Sequence, residues 1–233
     1  MGLLEHLVSL RNSLDFTIRS RVRIGRPLDT QRKMYESEVR LQRELEEFLA
    51  AFSGLRDFEL RPKHLVLNVL DVGCRNFILG PVIDRFFQKK GMLVSIDGIE
   101  IDAFRRFTDL RTRADYGEYF AQQCRSARFH AQDFLQWKQP ADIIFLLNPF
   151  VEKEQLLAWG LPLSTFKPEK IFSHCRELLR ADACLVVSCP SESEFAAANY
   201  LAEKVGLRLV EVQSWSPDKS AAQKQPRFGA LFR

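Results

Sequence analysis

Hydrophobic positions in the first quarter of the chain recur at helical spacing. Leucines at positions 3, 7, 10 and 14 predict an amphipathic helix over residues 3–18. A second helix is expected to begin near Asp29 or Thr30, since either residue can cap it, and to end at Gly54. Its apolar face would consist of Met34, Leu41, Leu45, Phe48 and Phe52. The spacing therefore predicts an N-terminal helical extension over residues 1–64, which would help to close or wall a substrate site.

From residue 65 onward the hydrophobic positions form continuous runs, with helical patterns between them. The apolar runs lie at 65–71, 92–99, 127–131, 142–147 and 183–189. The helical patterns lie at 78–89, 103–123 and 168–181. Because continuous apolar runs are typical of strands covered on both faces, this alternation predicts a doubly wound, mostly parallel sheet of an α/β protein.

The end of the chain predicts a different connection. A helix over 192–205 is followed by strands over 207–212 and 228–232. The polar loop from Ser214 to Pro226 is short enough for a hairpin. Residues 65–233 are therefore expected to form one domain, with a seven-stranded sheet that ends in a C-terminal antiparallel hairpin strand.

Composition and charge narrow the class of protein. Of the 233 residues, 46% are hydrophobic and 27% are charged, which excludes a disordered chain. The net charge of +4 permits an acidic partner but does not require one. No run of 18 apolar residues is present, so no membrane span is expected.

The cysteines and histidines indicate neither a disulfide framework nor a metal site. Five cysteines form an odd set without any Cys-x-x-Cys pair, and the four histidines are equally scattered. The first ten residues contain Glu5 and lack the basic start of a secretory signal. We therefore expect reduced thiols and a cytoplasmic protein.

The strongest candidate for ligand binding is the stretch over residues 66–80. An apolar run ends at Asp71, breaks at Gly73 and continues into a helical pattern. A buried strand that leads through a glycine turn into a helix is how an α/β sheet forms a nucleotide-binding edge. Arg75 and Phe77, however, occupy positions where a glycine-rich loop carries small residues.

Four segments, in this order, resemble the motifs of class I S-adenosylmethionine-dependent methyltransferases over residues 65–233. Residues 70–74 (Leu-Asp-Val-Gly-Cys) are similar to the beginning of the family's first motif. Residues 98–102 (Gly-Ile-Glu-Ile-Asp) are similar to the acidic end of its second strand. Residues 130–134 (His-Ala-Gln-Asp-Phe) and 147–150 (Leu-Asn-Pro-Phe) are similar to the ends of its third and fourth strands. The resemblance implies S-adenosylmethionine as the cofactor.

In the first motif the resemblance places three residues at the cofactor. Asp71 is expected near the cofactor's ammonium group, and Gly73 where the backbone passes the ribose and methionine parts. The alternative for Gly73 is a tight turn between strand and helix, which any doubly wound fold needs. Cys74 belongs to the same motif, although burial as a small apolar side chain is the simpler explanation for it.

The second and third motifs supply the remaining cofactor contacts that the resemblance implies. Glu100 would accept hydrogen bonds from the ribose hydroxyls, or would pair with an arginine at the surface. Ile101 would pack on the adenine ring, or in the core. Asp133 would accept from the adenine amino group while Phe134 flanks the ring, or Asp133 would cap the next turn.

The departures from the first motif concern the same cleft. Side chains at Arg75 and Phe77 would fill the cleft, or would point away if the loop takes another path. Arg75 could also reach the carboxylate of the methionine moiety. Gly80, which precedes Pro81, can shift the start of the helix beyond Phe77 and so provide room.

The acceptor side of the site is expected after the fourth strand. Methyl transfer from a sulfonium depends on alignment more than on acid–base groups. Asn148 and the Pro149 carbonyl could hold an amine lone pair toward the methyl group, or could simply form a turn. The segment from Phe150 to Pro168 would cover the substrate, or would contain a short structural helix from Glu152 to Trp159.

Two basic stretches leave nucleic acid open as a partner. They lie at 19–33 and at 105–119, where tyrosines accompany the arginines on an expected helix. Solvated surfaces are the favoured explanation for both. The predicted function is thus methyl transfer to a small-molecule acceptor. The alternatives are a methyltransferase-like binding or scaffold protein without catalysis, and a methyltransferase of RNA or protein.

Overall fold

A seven-stranded sheet forms the centre of the computed structural model, which describes residues 3–21, 35–55, 65–215 and 227–233. The strands are β1 Val66–Val72, β2 Leu93–Ile99, β3 Ala127–His130, β4 Ala141–Leu147, β5 Leu179–Cys189, β6 Leu209–Trp215 and β7 Arg227–Phe232. Their order is β3-β2-β1-β4-β5-β7-β6. The first five strands are parallel, and β7 lies antiparallel between β5 and β6. The predicted fold class is therefore confirmed.

Helices cover both faces of the sheet. They are α1 Leu3–Arg21, α2 Glu36–Ala51, α3 Gly80–Lys89, α4 Arg113–Ala121, α5 Lys153–Ala158, α6 Pro168–Leu178 and α7 Glu192–Lys204. Apolar side chains of α2, α3 and α4 form one core with the sheet, and those of α6 and α7 form a second. Among the described residues, no helix is long and apolar enough to cross a membrane.

Two of the expected helices have different ends in the structure. The helix expected over 103–123 begins only at Arg113, because Thr112 and Asp115 form a reciprocal capping box in which Asp115 N donates to Thr112 Oγ1 at 3.1 Å. Residues 101–112 form turns instead. The helix expected over 168–181 ends at Leu178, and β5 begins at the next residue.

The second N-terminal helix packs against the sheet. Phe48 of α2 and Phe52, which directly follows the helix, lie over Gly229 of β7, where an added Cβ would come within 2.2 Å of the Phe48 ring. Glu211 accepts hydrogen bonds from the backbone of Ser53 at 3.0 Å and of Gly54 at 2.8 Å. The helix begins at Glu36, and the caps expected at Asp29 or Thr30 lie outside the described residues. The domain division at residue 64 stays a prediction.

The first helix docks through polar side chains. The buried Asn12 amide donates to the carbonyls of Leu157 and Leu161, both at 3.0 Å, and Ser9 Oγ accepts from Leu163 N. The apolar stripe of α1 faces solvent, with exposed side chains at Leu4, Leu7, Leu10, Leu14 and Ile18. Helical spacing thus predicted the helix correctly, but its apolar stripe does not face the rest of the protein.

Candidate active site

The loop after β1 has the backbone of a glycine-rich turn but keeps only the first of its glycines, Gly73. Gly73, Arg75 and Phe77 have φ angles of 69°, 57° and 56°, all in the left-handed region. The backbone N–H groups of Gly73 and Cys74 both donate to the Ile99 carbonyl, at 2.8 and 3.2 Å. A left-handed non-glycine residue costs on the order of 1 kcal/mol or more, and such residues concentrate at functional sites.

The Phe77 ring points away from the cleft and into the core. Its side chain is fully buried, and the ring lies 6.5 Å from that of Phe129. Two glycines make room for it, because an added Cβ would lie 2.6 Å from the ring at Gly80 and 2.4 Å from it at Gly98. Of the two departures from the first motif, only Arg75 therefore borders the cleft.

A single cavity opens at the carboxyl ends of the parallel strands and brings most of the expected site residues together. Those that line it are Gly73, Glu100, Ile101, Asp133, Phe134 and Asn148. Asp71 and Cys74 are not part of this lining. In the part of the chain that the structure describes, no three His, Cys, Asp or Glu side chains are placed to hold a metal ion.

Glu100 is held in a buried network at the floor of the cavity. Its Oε1 accepts from Asp102 N at 2.8 Å and from Arg113 Nη1 at 3.2 Å, and its Oε2 accepts from Arg75 N at 2.8 Å. Glu100 and Arg113 are 4% and 5% exposed, so the pairing with an arginine is buried rather than superficial. Burial raises the pKa of Glu100, while the Arg113 guanidinium opposes that shift.

Asp71 lies behind this floor as a nearly isolated carboxyl group. It is 1% exposed, and its Oδ2 has no hydrogen-bond partner within the described part of the chain. Burial raises the pKa of Asp71 to about 7, and the neighbouring Glu100 charge adds to the shift. The adjacent Cys74 is also buried, and burial raises the pKa of its thiol, so it packs as a small apolar side chain.

Asp133 and Phe134, which follow β3, border the cavity in two different ways. Asp133 Oδ1 accepts from Leu135 N at 3.0 Å and so caps the turn from Phe134 to Gln136. The Phe134 ring is buried against His174, with ring centroids 4.9 Å apart. The capping alternative for Asp133 is thus present, while its other carboxylate oxygen has no capping bond.

Asn148 follows β4 in a strained conformation. Its φ angle is 58°, and its backbone N–H donates to the Ser188 carbonyl at 2.8 Å. This bond ties the left-handed residue to the end of β5. The exposed Asn148 side chain is left at the lining of the cavity.

The segment from Phe150 to Pro168 forms one wall of the cavity through both α5 and the chain around it. Trp159 is packed against two arginines, with Arg75 Cζ 4.6 Å and Arg113 Cζ 5.7 Å from the ring centroid. The expected structural helix is present as α5, whereas the role of the segment in covering the substrate stays a prediction.

Helix α1 holds this wall from outside the cavity. Arg19 Nε pairs with Asp102 Oδ1 at 3.1 Å, and Arg19 Nη2 donates to the Gly160 carbonyl at 3.2 Å. Asp102 also pairs with Arg105 at 2.5 Å. No residue of the first 64 lines the cavity among those described, so the contribution of α1 is to the position of the wall.

Three cationic residues of the lining were not predicted as site residues. Arg105 and Arg113 belonged to a basic stretch expected on one helix, but the turns of residues 101–112 place them in the lining. Lys167 stands directly before α6 and was not considered at all. The signal available for Lys167 was its position at the end of a long inter-element segment, where binding residues concentrate.

Comparison with known proteins bears on the fold. No protein-family model and no curated protein match the sequence. A putative class I S-adenosylmethionine-dependent methyltransferase from Listeria monocytogenes is similar in structure, with a TM-score of 0.55 and 12% identity over 98% of this chain and 68% of that one.

Two further solved structures match over nearly the whole length of both chains. Magnesium protoporphyrin IX methyltransferase from Synechocystis PCC 6803 matches with a TM-score of 0.54 and 16% identity over 98% of this chain and 95% of that one. Precorrin-6y C5,15-methyltransferase from Geobacter metallireducens GS-15 matches with a TM-score of 0.51 and 13% identity, over 90% and 93%. The chain therefore has the fold of class I S-adenosylmethionine-dependent methyltransferases.

Proposed function

We propose that the protein is an S-adenosylmethionine-dependent methyltransferase that acts on a small-molecule acceptor in the cytoplasm. The observation that carries the proposal is the convergence of Gly73, Glu100, Asp133 and Asn148 on one cavity, each just after one of four neighbouring parallel strands. Open α/β sheets bind ligands at this edge. A similar structure, the Synechocystis enzyme, contains bound S-adenosylmethionine. All five cysteines are free thiols, which supports a reducing compartment.

The lining residues have the chemistry that this cofactor requires. At Gly73 nothing lies within 4 Å of an added Cβ, so the backbone is open to a ribose or methionine group. Three of the roughly four acceptor positions of Glu100 are occupied, which leaves one on Oε2 for a ribose hydroxyl. Ile101 and Phe134 offer apolar surface to the adenine ring.

The chain's contribution to the reaction would be alignment. When bound, the cofactor supplies an electrophilic methyl group whose leaving group is a neutral thioether, so no general acid is needed. Asn148, fixed by its bond to Ser188, and the Pro149 carbonyl would orient the acceptor's lone pair. Trp159 and Leu161 would exclude water from that side.

The binding test uses isothermal titration with S-adenosylmethionine and its demethylated product. Gly73→Asn should weaken binding at least tenfold, or about 1.4 kcal/mol, because the new side chain enters the cavity. Asparagine tolerates the left-handed backbone, so the fold should persist. Gly206→Asn is the matched control: Gly206 has a φ of 82° and open space around it, but is absent from the lining.

The outcomes separate the proposal from its alternatives. If neither compound binds the wild-type protein at millimolar concentration, the methyltransferase proposal is wrong. Binding of both without methyl transfer to any of a broad set of small acceptors would favour a non-catalytic binding protein. Affinity for RNA that falls steeply with salt would favour a nucleic-acid acceptor.

A further inference from the structure

The cavity carries more positive charge than its carboxylates balance. Among the residues that the structure describes, four cationic side chains and two carboxylates line it. The cations are Arg75, Arg105, Arg113 and Lys167, and the carboxylates are Glu100 and Asp133. Asp102, just behind the lining, does not remove the surplus, because Arg19 pairs with it from the other side.

Two of the cations are largely committed to the floor of the cavity. Arg113 pairs with Glu100, and Arg105 Nε pairs with Asp102. One outer nitrogen of Arg105 is not satisfied, because its buried Nη2 has no hydrogen-bond partner among the described residues. That nitrogen lies beside Gly160, 3.2 Å from where a Cβ would stand, so the wall leaves it a narrow space and no acceptor.

The other two cations have no carboxylate partner within the described ranges. The Arg75 guanidinium lies over the Trp159 ring, and only the backbone of Arg75 bonds to Glu100. Lys167 is half-buried at the lining and forms no salt bridge with a described residue. Asp133 also lines the cavity, but it bonds to Leu135 N rather than to either cation.

The charge of the cofactor limits which second ligand the cavity can accept. S-adenosylmethionine has one carboxylate, one ammonium group and one sulfonium, so it brings a net positive charge into a lining that is already positive. Arg75, on the loop that carries Gly73, can take the cofactor's carboxylate. Lys167 and the free nitrogen of Arg105 remain. Removing a charge from water is favourable only when the charge is paired, so closing the cavity over the half-buried Lys167 favours a second anion, to which Arg105 adds its charge.

We propose that the methyl acceptor is an apolar small molecule that carries a carboxylate, bound by Lys167 with Arg105 in support. The apolar part would contact Phe150, Leu161 and Ile171, which line the same cavity. A cationic or neutral acceptor would leave the surplus charge in place. The inference rests on the proposed function in assigning Arg75 to the cofactor; the need for an anion does not depend on it.

The test titrates benzoate and benzamide into the protein saturated with the demethylated cofactor, in buffer free of phosphate and other carboxylates. The two probes have nearly the same shape and differ in charge. We expect benzoate to bind at least tenfold more tightly than benzamide. Lys167→Gln should reduce this preference to less than threefold. Lys170→Gln is the matched control, since Lys170 is exposed on the same helix outside the lining, and should keep the preference.

Each other outcome is decisive. Equal binding of the two probes, or a preference that survives Lys167→Gln, overturns the inference. Tighter binding of phenyl phosphate than of benzoate replaces the carboxylate by a phosphate and also overturns it. If the demethylated cofactor does not bind at all, the same titrations are made on the protein alone. A Lys167-dependent preference for benzoate there would support the anion site although the methyltransferase proposal had failed.

Discussion

Replacing Gly98 by alanine tests how the chain accommodates a phenylalanine in the first motif. Gly98 lies in the buried end of β2, and an added Cβ would stand 2.4, 2.6 and 3.0 Å from three carbons of the Phe77 ring. Phe77 is fully buried in a core of aromatic and aliphatic side chains, so its ring has no open space to move into. The clash must therefore be relieved by displacing the ring, the strand or both.

The expected cost follows from two opposing effects. Overpacking a well-packed core costs about 1–3 kcal/mol. Alanine recovers about 0.5–1 kcal/mol, because glycine loses more backbone entropy when it is fixed in a strand. We expect Gly98→Ala to lower the free energy of unfolding by about 2 kcal/mol, which for a chain of this size lowers the Tm by about 4–8 °C.

Urea unfolding of a double-mutant cycle separates the clash from other effects. Phe77→Leu alone should cost about 1–2 kcal/mol for the lost ring volume. In the double variant with Gly98→Ala, the new methyl group enters space that the ring has left. The combined loss should therefore be smaller than the sum by about 1 kcal/mol or more.

The control cycle pairs Phe77→Leu with Gly229→Ala. The Cβ added at Gly229 would also meet a ring, at 2.2 Å, but that ring belongs to Phe48. Its loss of stability should simply add to that of Phe77→Leu. Additivity within about 0.5 kcal/mol in the Gly98 cycle as well would refute the idea that this glycine exists to admit Phe77.

Three further predictions concern other parts of the structure. The pKa of Asp71 in the folded state, about 7, exceeds its unfolded value, so the native state binds more protons between those values and the free energy of unfolding falls as pH rises toward 7. In urea titrations at pH 5 and 7, Asp71→Asn should make this fall smaller by on the order of 2 kcal/mol. An unchanged dependence of the free energy of unfolding on pH would contradict this. Asn12→Ala should speed hydrogen exchange of α1 at least tenfold, because its two buried bonds are lost, whereas Thr17→Ala should not. Arg113→Met should cost about 3–5 kcal/mol by leaving carboxylates unpaired, and adding Glu100→Gln should restore part of it; no recovery in urea unfolding would argue against the pair.

The strands and the position of the cleft were predictable because their signals are local. The apolar run before Asp71 and the turn at Gly73 lie within a few residues of each other, and together they predict a strand that ends at the ligand-binding edge of the sheet. The start of α4 was equally readable, since Thr112 and Asp115 have capping-box spacing. The longer apolar pattern over 103–123 outweighed that signal and led to the wrong start.

What escaped prediction depends on contacts between distant parts of the chain. The face of α1 that packs against the protein is determined by hydrogen bonds of Asn12 to two carbonyls roughly 150 positions later. The helical spacing of apolar residues does not predict these bonds. The partner of Glu100 is Arg113, which reaches it only because the intervening residues form turns. The fit of Phe77 depends on Gly98, a glycine whose role becomes visible only once β2 lies beside β1.

The left-handed loop at Gly73, Arg75 and Phe77 has a consequence for how such a protein can evolve. A non-glycine residue in this left-handed conformation costs about 1–2 kcal/mol per position. This cost is smaller than the free energy of unfolding of a typical domain. The residues of the motif can therefore be substituted while the turn keeps its conformation, provided that a small residue such as Gly98 leaves room for the new side chain. Related chains would be recognised better by alternate positive φ angles at this turn, together with a small residue across the neighbouring strand, than by any glycine signature.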